Sequence, residues 1–305
     1  MAEAVSPTVA RRRVRLALRE AREAAGLTQQ QVADEMEWSL SKVIRIESGE
    51  VTIAPNDLRP LLAFLKVKDK DVISSLLVDA RVARIRQRQA WYQKPPYKDV
   101  LSESYRKLIE FEAVATAIRY FSIYFIPGPL QLPEYAAALM RLWTDEMSET
   151  RIKALLGARR QRGEALLSRV GSVELFVLLD ESVLMRPVGG VAVITAQLQE
   201  LHRLASEGAI RLRMVPFTLD APVTNNASFD LLSLDPHDKE GMLLYHENGL
   251  TDEVIEDKAT TRRHKDRYDL VWEEALDESD TIDFIQKRII DLGAAGTGRL
   301  REHHR

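Results

Sequence analysis

Residues 26–49 read GLTQQQVADEMEWSLSKVIRIESG, and this stretch decides the fold of the N-terminal part. Thr28 has the hydroxyl of a helix cap, and behind it Val32 and Met36 lie four apart on one face with Ala33 beside them. Glu37-Trp38 is a tight break. Ser39 caps a second helix in which Val43 and Ile46 point inward while Lys42 and Arg45 point outward. Two short helices joined by a three- or four-residue turn make a helix-turn-helix, whose second helix fits a DNA major groove.

The flanking sequence closes a five-helix module. Upstream, Val14, Leu18, Ala21 and Ala25 form an apolar stripe, and Gly26 ends that helix in the left-handed region. Downstream, a helix over 54–65 carries Leu58, Leu61, Leu62 and Leu65, with Pro55 in its first turn where a missing N–H costs little. A further helix over 71–80 supplies Val72, Ile73, Leu76 and Leu77. The module resembles the xenobiotic-response-element family, regulators built like lambda repressor and Cro. The matching residues are Leu27-Thr28-Gln29, Val32-Ala33, Ser39-Leu40-Ser41-Lys42 and Ile46-Glu47-Ser48-Gly49.

The resemblance implies double-stranded DNA as the partner. The start of the helix at Thr28 is suited to a phosphate, with the amides of Gln29 and Gln30 on the same backbone. Leu40, Ser41, Lys42 and Arg45 are the side chains expected to face the groove, opened by the cap Ser39. Lys42 or Arg45 suits guanine, Ser41 donates or accepts, and Leu40 suits a thymine methyl. An ion pair within the protein is the other reading of Arg45. Glu47 is expected to hold the fold; in the family an acid here pairs with a first-helix arginine, for which Arg12, Arg15 and Arg19 are the candidates.

Composition bounds the remainder. The chain has 305 residues, is 45% hydrophobic and 29% charged, and has no cysteine, which excludes disulfides and thiolate metal sites. No apolar run of membrane-spanning length and no signal-peptide core is present, so a cytoplasmic protein is expected. A net charge of −3 conceals strong segregation. Residues 11–22 hold six Arg against one Glu, and residues 81–98 hold Arg81, Arg84, Arg86, Arg88, Lys94 and Lys98 with no acid. Residues 235–283 hold sixteen acids against six Lys and Arg. Attraction to phosphates follows the local field, so the basic segments suit DNA although the total does not. A solvated helix face is the other reading of Arg81–Arg88.

The prolines of WYQKPPY (91–97) break the basic helix, giving a division into a DNA-binding module (9–80), a basic linker (81–101), an α/β domain (102–292) and a disordered tail (293–305) rich in Gly, Arg and His. In the α/β domain, helices are expected over 102–121, 134–144, 149–167, 192–206 and 252–275. Strands are expected over 173–181, 210–217, 228–234 and 242–247, the last two joined by a turn at 235–241. YFIPGPLQLP (124–133) reads as a rigid apolar turn. The fold class is therefore mixed: an all-α module followed by a small mixed sheet flanked by helices.

This second part resembles a domain found in actinobacterial regulators, some of them antitoxin-like and encoded beside a short partner protein. The resemblance rests on FIPGPLQLPEYAAAL (125–139), RRQRGEALL (159–167), LDESVLMRPVGG (179–190), RLRMVPF (211–217) and SFDLLSL (228–234). Gly163 inside a helix and Asn225-Asn226 in a loop depart from the pattern. The resemblance implies transcriptional regulation toggled by a nearby-encoded small protein or a small-molecule ligand, with a homodimer expected because one recognition helix reads few base pairs.

Catalytic and metal chemistry find little support. Asp180-Glu181 closes a strand, where a helix cap is the commoner role. Arg159, Arg160 and Arg162 point in different directions on a helix. His202, His237, His246 and His264 lack metal-ligand spacing, and no phosphate loop or nucleophile elbow surrounds Gly189-Gly190. No catalytic residue, metal or cofactor is expected, and a DNA-targeted enzyme is the alternative. The turn at 124–133 and the loop FTLDAPVTNNA (217–227) are candidate walls of a ligand cleft, with plain core and connection as the other reading. Tyr120, Tyr124, Phe125 and Tyr135 near that turn are expected in the core, and the strand at 242–247 is a candidate docking edge.

Overall fold

The computed structural model describes residues 6–85, 90–141, 145–220, 227–235, 241–247 and 251–302, with the side chains of 295–302 left out. Arg86, Arg88, His237, Asn225-Asn226, the centre of the 235–241 turn and residues 303–305 lie outside the described residues. The chain forms two compact units, residues 1–90 and 91–305.

The first unit comprises α1 (Pro7–Ala24), α2 (Gln29–Glu35), α3 (Leu40–Glu47), α4 (Pro55–Phe64) and α5 (Lys70–Val82). Its core joins Leu18, Val32, Val43, Ile46, Leu58, Leu62 and Leu76, one or two from every helix. Gly26 has φ +70°, the left-handed conformation expected after α1. Val72 departs from expectation: it lies on the outer face of α5 and is 44% exposed, while Leu76 and Leu77 face the core.

The second unit is built on a six-stranded mixed sheet, ordered β3-β2-β1-β4-β5-β6. The strands are β1 (Ala117–Ser122), β2 (Glu174–Asp180), β3 (Arg211–Val215), β4 (Phe229–Ser233), β5 (Met242–Glu247) and β6 (Asp252–Ile255). Three of them, β1, β2 and β3, run parallel, and each remaining pairing is antiparallel. The helices are α6 (Tyr97–Val100), α7 (Glu103–Glu112), α8 (Pro133–Met140), α9 (Glu149–Leu167), α10 (Glu181–Met185), α11 (Val191–Ser206), α12 (Lys258–Glu274) and α13 (Glu278–Glu302).

Four boundaries differ from the sequence reading. The helix expected over 102–121 stops at Glu112, and its last third is β1, the strand that pairs with both β2 and β4. Burial on both faces removes the alternation that marks a strand, so Val114, Ala115 and Ile118 extend a helical spacing that the backbone does not follow. Likewise Asp252–Ile255 pairs with β5 before α12 begins, so the helix expected from 252 starts at Lys258. Backbone beyond Gly293 continues as helix to Glu302, where glycine content predicts disorder. Residues 91–101, read as linker, hold a short 3-10 turn and α6 and belong to the second unit.

Gly163, an odd residue inside a helix, is required by close approach. A Cβ there would stand 2.6 Å from the Pro129 carbonyl oxygen, in the turn 124–133 that α9 crosses. One sheet face packs Phe121, Leu178, Phe229 and Leu244 under Tyr268, Val271 and Trp272 of α12. On the other face Tyr120, Asp230 and Tyr245 stand in one cross-strand row.

Candidate nucleic-acid interface

Two caps set the first unit's helix-turn-helix. The Thr28 hydroxyl accepts from Gln31 N–H at 3.2 Å while the Thr28 N–H donates to the Gln31 side chain at 2.8 Å, a reciprocal capping box. Between the helices Glu37 takes φ +54°, and Trp38 N–H closes the turn on the Ala33 carbonyl at 2.8 Å. Ser39 caps α3 by accepting from Lys42 N–H at 3.2 Å.

Glu47 is the joint of the module, with an unexpected partner. Its carboxylate accepts from Arg22 Nε at 2.7 Å and Nη2 at 3.0 Å, and from the Gln29 amide at 2.8 Å. The first-helix arginine is therefore Arg22 and not Arg12, Arg15 or Arg19. Arg22 sits on the last turn of α1, and its Nη1 also donates to the Leu27 carbonyl at 3.0 Å. The carboxylate hydrogen bond raises the Arg22 pKa against its partial burial. Gln29 thus spends an amide hydrogen on the fold, and Gln30 donates its own to Asp34 at 2.7 Å.

On α3, Val43 and Ile46 enter the core while Leu40, Ser41 and Arg45 are exposed. Lys42 lies along the surface, 3.3 Å from Asp57 and 3.7 Å from the centre of the Trp38 ring. Arg45 pairs with Glu50 at 3.2 Å, both more than half exposed, so its ion-pair reading is realised. Such exposed pairs are worth ~0–1 kcal/mol and are readily exchanged for a stronger anion. Ile44 escaped the sequence reading. It is 42% exposed and Leu40 37% exposed, making an apolar strip at i, i+4 spacing beside Ser41. The signal was an apolar side chain lying outside the Val43–Ile46 core stripe.

The second unit offers a competing polar centre. Arg162 is buried and bonds Glu112 through Nε at 2.5 Å and Nη2 at 2.7 Å, with Asp230 at 3.5 Å and the Tyr120 hydroxyl 3.3 Å from Glu112. Of the three candidate arginines on α9, only Arg162 enters this cluster: Arg159 bonds Gln131 and Arg160 pairs with Glu164. At the strand end, Asp180 caps α10 through Ser182 N–H and Glu181 accepts from Phe217 N–H at 2.8 Å. Among the described residues no group of three or more His, Asp or Glu side chains could hold a metal. Tyr120 and Tyr135 are core as expected, whereas Tyr124 and Phe125 are 55% and 36% exposed.

Burial pushes the Asp230 carboxyl up to about 7; Arg162 opposes the shift, and Glu112 and Glu247 add to it. A raised folded-state value gives stability that is complete below the ordinary carboxyl range and is lost as pH rises through 7. Asp230→Asn is expected to flatten this loss and to exceed the native chain at pH 8 by about 1–3 kcal/mol, given ~1.4 kcal/mol per unit and a partly exposed carboxylate. Urea unfolding at pH 5 and pH 8 tests this; equal slopes in both proteins refute it.

No helix among the described residues is long and apolar enough to cross a membrane. A family model described as a helix-turn-helix domain matches residues 13–75, and one described as a domain of unknown function, DUF5753, matches residues 105–287. No curated protein and no solved structure matches the chain.

Proposed function

Because the chain belongs to the DUF5753 family and carries a helix-turn-helix domain ahead of that region, we propose that it is a sequence-specific transcriptional regulator of the Cro and lambda-repressor type. The supporting observation is the outer face of α3, where Leu40, Ser41, Ile44 and Arg45 stand exposed on a helix capped at Ser39. In this reading Leu40 and Ile44 meet thymine methyls, Ser41 and Arg45 bond base edges, and Lys42 exchanges Asp57 for DNA. Thr28 and Gln30 face the phosphate backbone, with Gln29 contributing what its bond to Glu47 leaves free. The protein acts as a homodimer on two half-sites. The second unit receives an effector, either a small ligand or a small protein encoded nearby in an antitoxin-like pair. A non-catalytic role is favoured by the strand-end acids, which are spent on a helix cap and on a loop N–H.

The test is selection from a random double-stranded pool with the full chain, followed by Kd measurement on the enriched site at fixed salt. Ile44→Ala and Arg45→Ala are each expected to weaken binding by about 1–3 kcal/mol where a base contact is lost. Replacing the site's thymines by uracil should cost the native protein affinity and cost Ile44→Ala much less. A pool that yields no enriched sequence overturns the DNA reading.

A further inference from the structure

The sheet face that carries the Phe121–Leu178–Phe229 core also carries a row of charge. Arg119, Phe176 and Arg211 are direct cross-strand neighbours on β1, β2 and β3, and Arg213 follows two residues along β3 on the same face. The Arg119 and Arg211 guanidiniums converge on one ring, with Cζ 4.7 and 5.2 Å from the Phe176 centroid. Arg213 lies 5.0 Å from the centre of Trp272, whose ring meets Phe176 edge-on at 5.6 Å.

These charges are unequally answered. Arg211 pairs with Glu278 at 2.8 Å. Among the described residues Arg119 has only the Ser233 hydroxyl, at 3.5 Å, and Arg213 only the Trp272 carbonyl, at 2.7 Å. Among the described residues no carboxylate pairs with Arg119 or Arg213. Two buried polar atoms at the same place also lack hydrogen-bond partners there: Arg213 Nε and the hydroxyl of Tyr268. Tyr268 is 1% exposed and stacks on Trp272 at 5.7 Å. Burial drives its pKa well above the tyrosine range, with Asp269 adding to the shift and Arg119, Arg211 and Arg213 opposing it, so the hydroxyl remains a protonated donor.

Arg119 and Arg213 are half-buried, and the unpaired Arg213 Nε and Tyr268 hydroxyl beside them are costly to leave unmet; a bound oxyanion removes that cost by accepting from them and from the planar forks. We propose that the sheet face around Phe176 is an oxyanion-binding site, in which Arg119, Arg213 and the Tyr268 hydroxyl hold one phosphate or carboxylate group of a small effector. Arg211 and Phe176 form its rim, and Glu278 yields Arg211 when the anion enters. Glu174, two residues earlier on β2, is exposed on this face and disfavours ligands with additional negative charge beyond the bound group. The assignment deepens the effector reading and rests on it only for the consequence at DNA.

The experiment is calorimetric and thermal-unfolding titration of the full chain with inorganic phosphate and with acetate, against chloride at matched ionic strength. The proposal expects saturable stabilisation by phosphate or acetate over chloride, and the anion that acts names the class. It further expects affinity weakened about tenfold or more in Arg213→Gln and in Tyr268→Phe. Tyr268→Phe removes only an unpartnered hydroxyl, so it decides the matter if Arg213→Gln does not fold. Identical behaviour in phosphate, acetate and chloride, or undiminished binding in Tyr268→Phe, overturns the site. Binding that leaves affinity for the selected DNA unchanged overturns the effector reading and leaves the oxyanion site standing.

Discussion

Glu112→Ala is expected to unfold the second unit under conditions where the native chain is stable. Arg162 and Glu112 side chains are 6% and 4% exposed, and their two hydrogen bonds span α9 and α7 above the sheet. Removing the carboxylate leaves a guanidinium in the interior with Asp230, at 3.5 Å, as its one counter-charge among the described residues. Breaking such a pair from one side typically costs about 3–5 kcal/mol, a large part of a domain's stability. Tyr120 also loses the acceptor of its hydroxyl. The pair is nevertheless a weak source of net stability, because desolvation offsets most of its attraction. Glu112→Leu combined with Arg162→Met is therefore expected to recover most of the loss. Urea unfolding of the single and double variants measures both. A single variant within about 1 kcal/mol of the native chain refutes the argument, since that is the scale of a surface pair.

Legibility in the sequence followed how local each determinant is. Caps at Thr28 and Ser39 and the Gly26 stop act within one turn of chain, and the structure has all of them. Strand β5 was equally legible at 242–247, and α9 at 149–167. What failed was non-local. The central strand β1 is buried by neighbours on both sides, which erases its period of two, and β6 is a four-residue edge defined only by pairing with β5. At the candidate interface the exposure of Leu40, Ser41 and Arg45 on α3 followed from helical spacing, whereas that of Ile44 did not. The partners Asp57 and Glu50 did not follow either, because nothing in the spacing of α3 says which acid reaches Lys42 or Arg45. Choosing among the first-helix arginines failed for a similar reason. Arg22 reaches Glu47 from the last turn of α1, where the chain has begun to turn toward α2, a geometry that a stripe of apolar residues does not encode.

That joint is where fold and DNA contact become one question. Glu47 binds Arg22 of α1 and Gln29 of α2 from the last turn of α3, so three helices are fixed by one carboxylate. Its side chain is 8% exposed and that of Arg22 12%. Glu47→Ala strands the guanidinium and frees the Gln29 amide, with an expected cost of about 2–4 kcal/mol, somewhat below a fully buried pair. The effect on DNA should exceed the effect on population. Even the folded fraction holds α3 less rigidly against α1 and α2, and base contacts require the helix within a fraction of an ångström of its groove position. Specific affinity is therefore expected to fall more than the unfolded fraction explains, while salt-dependent nonspecific affinity, which depends on phosphate attraction and not on the exact placement of α3, falls less. Glu47→Gln keeps an acceptor for Arg22 and should lie between. The measurement is Kd for selected and unrelated DNA, each corrected by the unfolded fraction from a melt. If Glu47→Ala weakens both DNAs by the same factor, Glu47 acts through folding alone; if specific binding is unchanged in a destabilised protein, α3 does not read the site.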